Sequence, residues 1–141
     1  MIGIPAYVPK TMKSEDDYIP YIFSEAELES IFLCADSLVP KSNYPYMQYE
    51  FPMILRLLFG CGMRIGEVLS LQMKDVDLEN GIITIRNAKN EKDRLVPLHF
   101  NLAPVFIRYC IAIGVNNKSE ALVFPGRDEN DRIISTYLIS Y

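Results

Sequence analysis

Histidine, cysteine and long apolar runs are all scarce in this chain of 141 residues. The sole histidine, His99, has no second histidine and no cysteine near it, which excludes a metal site built on imidazole and thiolate ligands. A solvated or capping role is expected for it. No serine or cysteine can be matched with a plausible histidine base, so hydrolase triads have no support. The three cysteines, Cys34, Cys61 and Cys110, lie far apart with no Cys-x-x-Cys pair. An odd count at that spacing argues against a disulfide framework, and a reducing, cytoplasmic compartment is the expectation. The longest apolar stretch, residues 53–63, is interrupted by Arg56. A membrane span needs about 20 consecutive apolar residues, so no membrane partner is expected. The first five residues lack the charged start and apolar run of a signal peptide. Neither of the glycine-rich patterns that cradle phosphates, G-x-G-x-x-G or G-x-x-x-x-G-K-[ST], is present. A self-contained metalloenzyme, NTPase or hydrolase is therefore excluded, and no cofactor is expected.

What is abundant is acid, in one place. The net charge is −4, which by itself speaks against a nucleic-acid partner. Residues 14–50, however, hold eight acids against the single base Lys41, whereas residues 51–98 hold seven bases against six acids. The whole-chain charge is thus a poor guide to any one face. The acid belongs mainly to the start of the chain and the first helix. Half of the residues are hydrophobic, ample for a buried core.

Residues 1–22, with Pro5, Pro9 and Pro20 and a polar run at 13–17, have no helical or strand period and read as a connector. Ser24-Glu-Ala-Glu27 is a capping box, and Leu28, Ile31, Phe32, Ala35 and Leu38 follow at the spacing of one buried helical face, stopped by Pro40. Residues 47–59 are apolar nearly all the way round, which predicts a central helix with Pro52 near its first turn. Gly60 and Gly62 break the chain before a third helix over 64–71. The period then changes: 81–86 and 94–97 are β-rich and flank a polar turn at 87–93, so they read as a hairpin. Residues 75–77 offer a further edge strand, joined through the Asn80-Gly81 turn. A fourth helix is expected over 102–113, then an extended piece at 122–125, a charged loop at 127–132, and a helix starting at Ser135. A helix of about six residues is unstable unless packed on something, so the chain reads as truncated after it.

The informative blocks are Gly62-Met-Arg64-Ile-Gly-Glu67 with Leu69 and Leu71, then Asp75-Val-Asp77, then Lys89-Asn-Glu-Lys92-Asp-Arg94-Leu-Val-Pro97-Leu. In that order they resemble the tyrosine recombinases, or phage integrases, over the first half of their catalytic domain. The likeness covers residues 20–141 and is densest at 58–98. It implies an α+β, mainly helical fold, with helices packed around a small antiparallel three-stranded sheet or β-hairpin. It also implies a linker at 1–22, from a missing N-terminal DNA-binding domain, and a truncated catalytic domain at 23–141. The activity implied is site-specific recombination or integration on double-stranded DNA. The parent enzyme would cut and rejoin strands through a covalent 3′-phosphotyrosyl intermediate, without metal, and would assemble as a tetramer on DNA.

Breaking a phosphodiester without metal requires cations on the non-bridging oxygens, and an arginine fork holds two oxygens at once without losing its proton. The resemblance makes Arg64 the first catalytic arginine and Glu67 its supporting acid. From the residues alone, the same two form an ordinary i, i+3 surface pair worth ~0.3 kcal/mol. A lysine on the hairpin turn can protonate the departing 5′ oxygen. Aligning back from Arg94 favours Lys89 as the family's catalytic lysine, with Lys92 the alternative for that role and otherwise a DNA-backbone contact, and Arg86 and Arg94 further contact candidates. The family's His-x-x-Arg motif, later His or Trp, and tyrosine nucleophile do not occur here. Tyr137 and Tyr141 come too soon after the hairpin, so the nucleophile is expected outside this chain and the chain alone is expected to be inactive. The alternative is a non-catalytic DNA-binding or regulatory remnant of an integrase.

Overall fold

The computed structural model describes residues 19–88 and 92–126. Ser24 opens helix α1 (Glu25–Asp36): its hydroxyl accepts from the Glu27 N–H, and the Glu27 carboxylate accepts from the Ser24 N–H at 2.8 Å. The helix packs mainly on α2 (Met47–Cys61), through an edge-on Phe32–Phe59 contact and a two-pronged Arg56–Asp36 ion pair with both bonds at 2.8 Å. That ion pair draws the Asp36 carboxyl below its ordinary value. Ala35 is α1's one buried residue and Leu33 is exposed, so the expected buried face is a half-buried one. An outer helix leaning on a single neighbour cannot cover a whole stripe.

Helix α2 is central, as its all-round apolar pattern predicts, and touches α1, α3 (Ile65–Leu69) and α4 (Leu102–Ile113). Met53, Ile54 and Leu57 lie fully inside the core. Pro52 is the sixth residue of α2 and buried, one turn deeper than expected. Packing of its ring is bought at the loss of an N–H to the Gln48 carbonyl. Gly62 ends the helix in a left-handed conformation (φ 61°) and turns the chain into Arg64.

A short 3-10 turn (Met73–Asp75) leads into β1 (Val76–Asp77), β2 (Ile82–Ala88) and β3 (Lys92–Pro97), an antiparallel sheet in that order. The turn before β2 needs a positive φ at Gly81 (65°), and the Asp77 carboxylate accepts from both the backbone and the side-chain N–H of Asn80. Ile83 and Ile85 pair with Val96 and Arg94 and send the sheet's apolar face into the core. The ladder resumes at Ala88–Lys92 after an irregularity, so both strands run farther than their apolar letters suggest. Lys92 accordingly belongs to β3 and not to the turn. Its neighbours Asp93 and Arg94 are also exposed, so pairing rather than burial extends the strand.

The His99 carbonyl accepts from the Leu102 and Ala103 N–H groups, and its Nδ1 from Asn101 N–H at 3.2 Å, the expected capping role. From α4, Phe106, Tyr109, Cys110 and Ile113 face the core. The chain then returns alongside the 71–74 segment: Leu122 bridges Gln72, Val123 N–H donates to Leu71, Met73 N–H to Ala121, and Lys74 N–H to Ser119. Tyr109 fixes this return with a hydroxyl bond of 2.6 Å to the Val123 carbonyl. Among the described residues no helix is long and apolar enough to cross a membrane. Most of the connector, the 127–132 loop and the helix from Ser135 lie outside the described residues.

Candidate active site

Arg64 stands immediately before α3, in extended conformation, on the turn set by Gly62. Its backbone N–H donates to Glu67 Oε2 at 2.8 Å, so Glu67 caps its own helix. The same oxygen accepts from Arg94 Nη2 on β3 at 2.6 Å. The other oxygen, Oε1, lies 3.8 Å from Arg64 Nη1. One carboxylate, its side chain only 12% exposed, thus ties the start of α3 to the hairpin, while the Arg64 side chain is 67% exposed. The i, i+3 ion pair exists, but it is the loosest of the three contacts.

Beside these residues runs an open groove of ≈ 570 Å³, lined by Arg64, Glu67, Ser70, Gln72, Asp75, Thr84 and Arg86. Arg86 Nε donates to the buried Asp75 carboxylate, and that hydrogen bond raises the guanidinium's already high pKa. Two elements therefore deliver cations to the groove, Arg64 from the turn before α3 and Arg86 from β2, and Arg94 from β3 joins them through Glu67. Lys92 is exposed at the start of β3, and Lys89 lies outside the described residues. No group of three His, Cys, Asp or Glu is placed to hold a metal among the described residues. The groove can bind an anion with several oxygens, since a fixed set of forked cations suits phosphate.

Two acids escaped the sequence reading. Asp75 was assigned to an edge strand, but it is the buried counter-charge of Arg86. No local signal marks it, since Asp75 stands among Lys74, Asp77 and Glu79 like any surface acid. Glu50, one of the eight acids of residues 14–50, is fully buried in α2. It accepts from the Tyr44 hydroxyl and, at 2.9 Å, from the Gly126 N–H.

The chain belongs to the phage integrase family, whose model matches residues 23–138. It is 30% identical to tyrosine recombinase XerA of Pyrococcus horikoshii, covering 89% of this chain and 38% of that protein. Among solved structures it is similar to XerA recombinase, at 25% identity and a TM-score of 0.59 over 77% of this chain and 35% of that one. It is also similar to XerH site-specific recombinase bound to its palindromic difH substrate, at 26% identity and a TM-score of 0.54 over 74% and 29%. The α+β architecture is that of tyrosine recombinase catalytic domains. Against the curated relatives matched over 63% or more of its own length, the chain spans 28–38% of theirs.

Proposed function

We propose that this chain supplies the arginine turn and lysine hairpin of a site-specific DNA recombinase or integrase, whose whole protein cuts and rejoins strands through a 3′-phosphotyrosyl link. The observation that carries this reading is the Arg64–Glu67–Arg94 cluster at the rim of a groove that also holds Arg86. Arg64 clamps the non-bridging oxygens of the scissile phosphate, where positioning and charge neutralisation supply most of the catalysis. Glu67 supports it, and Lys89 protonates the departing 5′ oxygen. Arg86 and Lys92 hold the flanking backbone, while Arg94 is bonded to Glu67. XerH was solved bound to a palindromic difH substrate, and a DNA duplex is the partner proposed here. Tetramer assembly belongs to the whole protein.

Because the 141 residues contain no His-x-x-Arg motif, the chain by itself binds DNA without cutting it. Binding to a labelled duplex across a salt series tests the first half. The expected log–log slope is about −3 to −5 for four or five phosphate contacts, and Arg64→Ala makes it shallower by about 1. A suicide substrate carrying a nick tests the second half. Binding that ignores salt and Arg64 refutes the phosphate role, and a covalent 3′-phosphotyrosyl product refutes the inactivity.

A further inference from the structure

The same molecule contains two arginine–carboxylate pairs with very different geometry. Arg56 grips Asp36 with both prongs at 2.8 Å. Arg64 has a carboxylate far nearer in sequence, three residues on rather than twenty, yet its Nη1 stays 3.8 Å from Glu67 Oε1 and its side chain remains two-thirds exposed. The difference lies in what already occupies Glu67. Its Oε2 takes two donors, the Arg64 backbone N–H at 2.8 Å and Arg94 Nη2 at 2.6 Å. Arg94 reaches it from β3, 27 residues away in sequence, from a position opposite the buried Ile85 that the sheet holds firmly. A carboxylate whose charge is already met by one guanidinium attracts a second one weakly, and the two guanidinium groups repel each other.

We infer that Arg94 is a positioning residue: by saturating Glu67 it keeps the Arg64 guanidinium off that carboxylate and open to a phosphate oxygen. This rests on the reading above that Arg64 receives phosphate. Without Arg94, Glu67 recovers a full negative charge one helical turn from Arg64. The Arg64 fork then closes on it as Arg56 closes on Asp36, and must be pulled away again before it can bind an anion. The same bond also fastens the hairpin to the arginine turn, so the lysine strand and Arg64 keep a fixed relation.

The test separates action through Arg64 from direct contact with DNA. In the 141-residue chain, Arg94→Met keeps the apolar stem and removes the fork. Duplex affinity is measured by fluorescence anisotropy for wild type, Arg94→Met, Arg64→Ala and the double variant. The expected result is a loss of about tenfold for Arg94→Met when Arg64 is present and less than about threefold when Arg64 is alanine, a coupling that only neighbours show. Equal losses in both backgrounds, or no loss, overturn the proposal, because Arg94 then acts on DNA directly or not at all. A DNA-free readout accompanies it. The Arg64 Nε–Hε signal by NMR shifts in Arg94→Met, and hindered rotation splits the Arg64 Nη resonances, as in a closed ion pair. If wild type fails to bind duplex, the recombinase reading falls, while an unchanged Arg64 signal in Arg94→Met still overturns the positioning role. Arg94→Gln serves the same comparisons if the methionine variant does not fold.

Discussion

Replacing Glu50 by glutamine should remove most of the pH dependence of stability between pH 5 and 8. Glu50 is completely buried, and burial pushes its carboxyl from an ordinary 4.5 up to about 7, against the opposing pull of the Tyr44 hydroxyl and the Gly126 N–H. Between those two values the folded chain holds a proton that the unfolded chain has released. Stability therefore falls as pH rises from 4.5 and levels off above about 7. At ~1.4 kcal/mol per pH unit over that window, the loss is about 3 kcal/mol, a large part of a small domain's total. The groups facing Glu50 do not add to it: Tyr44 and Tyr109 are pushed upward by burial and stay neutral throughout. The lowered carboxyls of Glu27, Asp36 and Asp77 titrate beneath the window. Glutamine can keep both partners, its oxygen accepting from Gly126 and its amide donating to the Tyr44 oxygen. Urea unfolding of both proteins, followed by far-UV circular dichroism at pH 5, 6, 7 and 8, is the assay. The expected outcome is near equality at pH 5, within ~1 kcal/mol, and a glutamine variant more stable by roughly 2–3 kcal/mol at pH 8. Parallel pH profiles would refute the argument.

Three further substitutions probe the frame, each read by urea midpoint at constant slope. Phe106→Ala empties the fully buried centre of α4 and should cost about 3–5 kcal/mol, provided the surrounding helices do not collapse into the space. Ser24→Ala breaks the capping box of α1 and should cost about 1 kcal/mol. Gly62→Ala meets open space but a left-handed backbone (φ 61°), so a loss of roughly 1–2 kcal/mol reflects conformation alone.

Local rules made much of the molecule legible. The capping box at Ser24, the apolar stripe of α4 and the Asn80-Gly81 turn each depend on residues within a few positions of one another, and each is found where the letters put it. Arg64 and Glu67 were likewise readable as neighbours. What could not be read were bonds made only by folding. Glu50 meets Gly126 across 76 residues and Arg94 meets Glu67 across 27, and nothing near either acid marks it as buried or shared. The extension of β2 and β3 through Asn87–Ala88 and Lys92–Asp93 belongs to the same class. Those residues have weak strand preference and are carried by the ladder. Pro52 lies a turn deeper in α2 than the first-turn preference of proline suggests, and its buried ring belongs to the packing of the folded chain.

The backbone laced from Leu71 to Lys74 against Ser119 to Val123 has a consequence for how the molecule is born. The segment that pairs with residues 71–74, between α3 and the sheet, is made only after α4. During synthesis, α1 and α2 can pair as soon as they clear the ribosome, because their contacts are close in sequence. Residues 71–74 must wait for a partner from the far side of the sheet and α4, a non-local closure of the kind that slows folding. A nascent chain paused within α4 would therefore carry α3 and the hairpin with the link between them unpaired. Closure of that seam arrives late, as one of the last acts of folding.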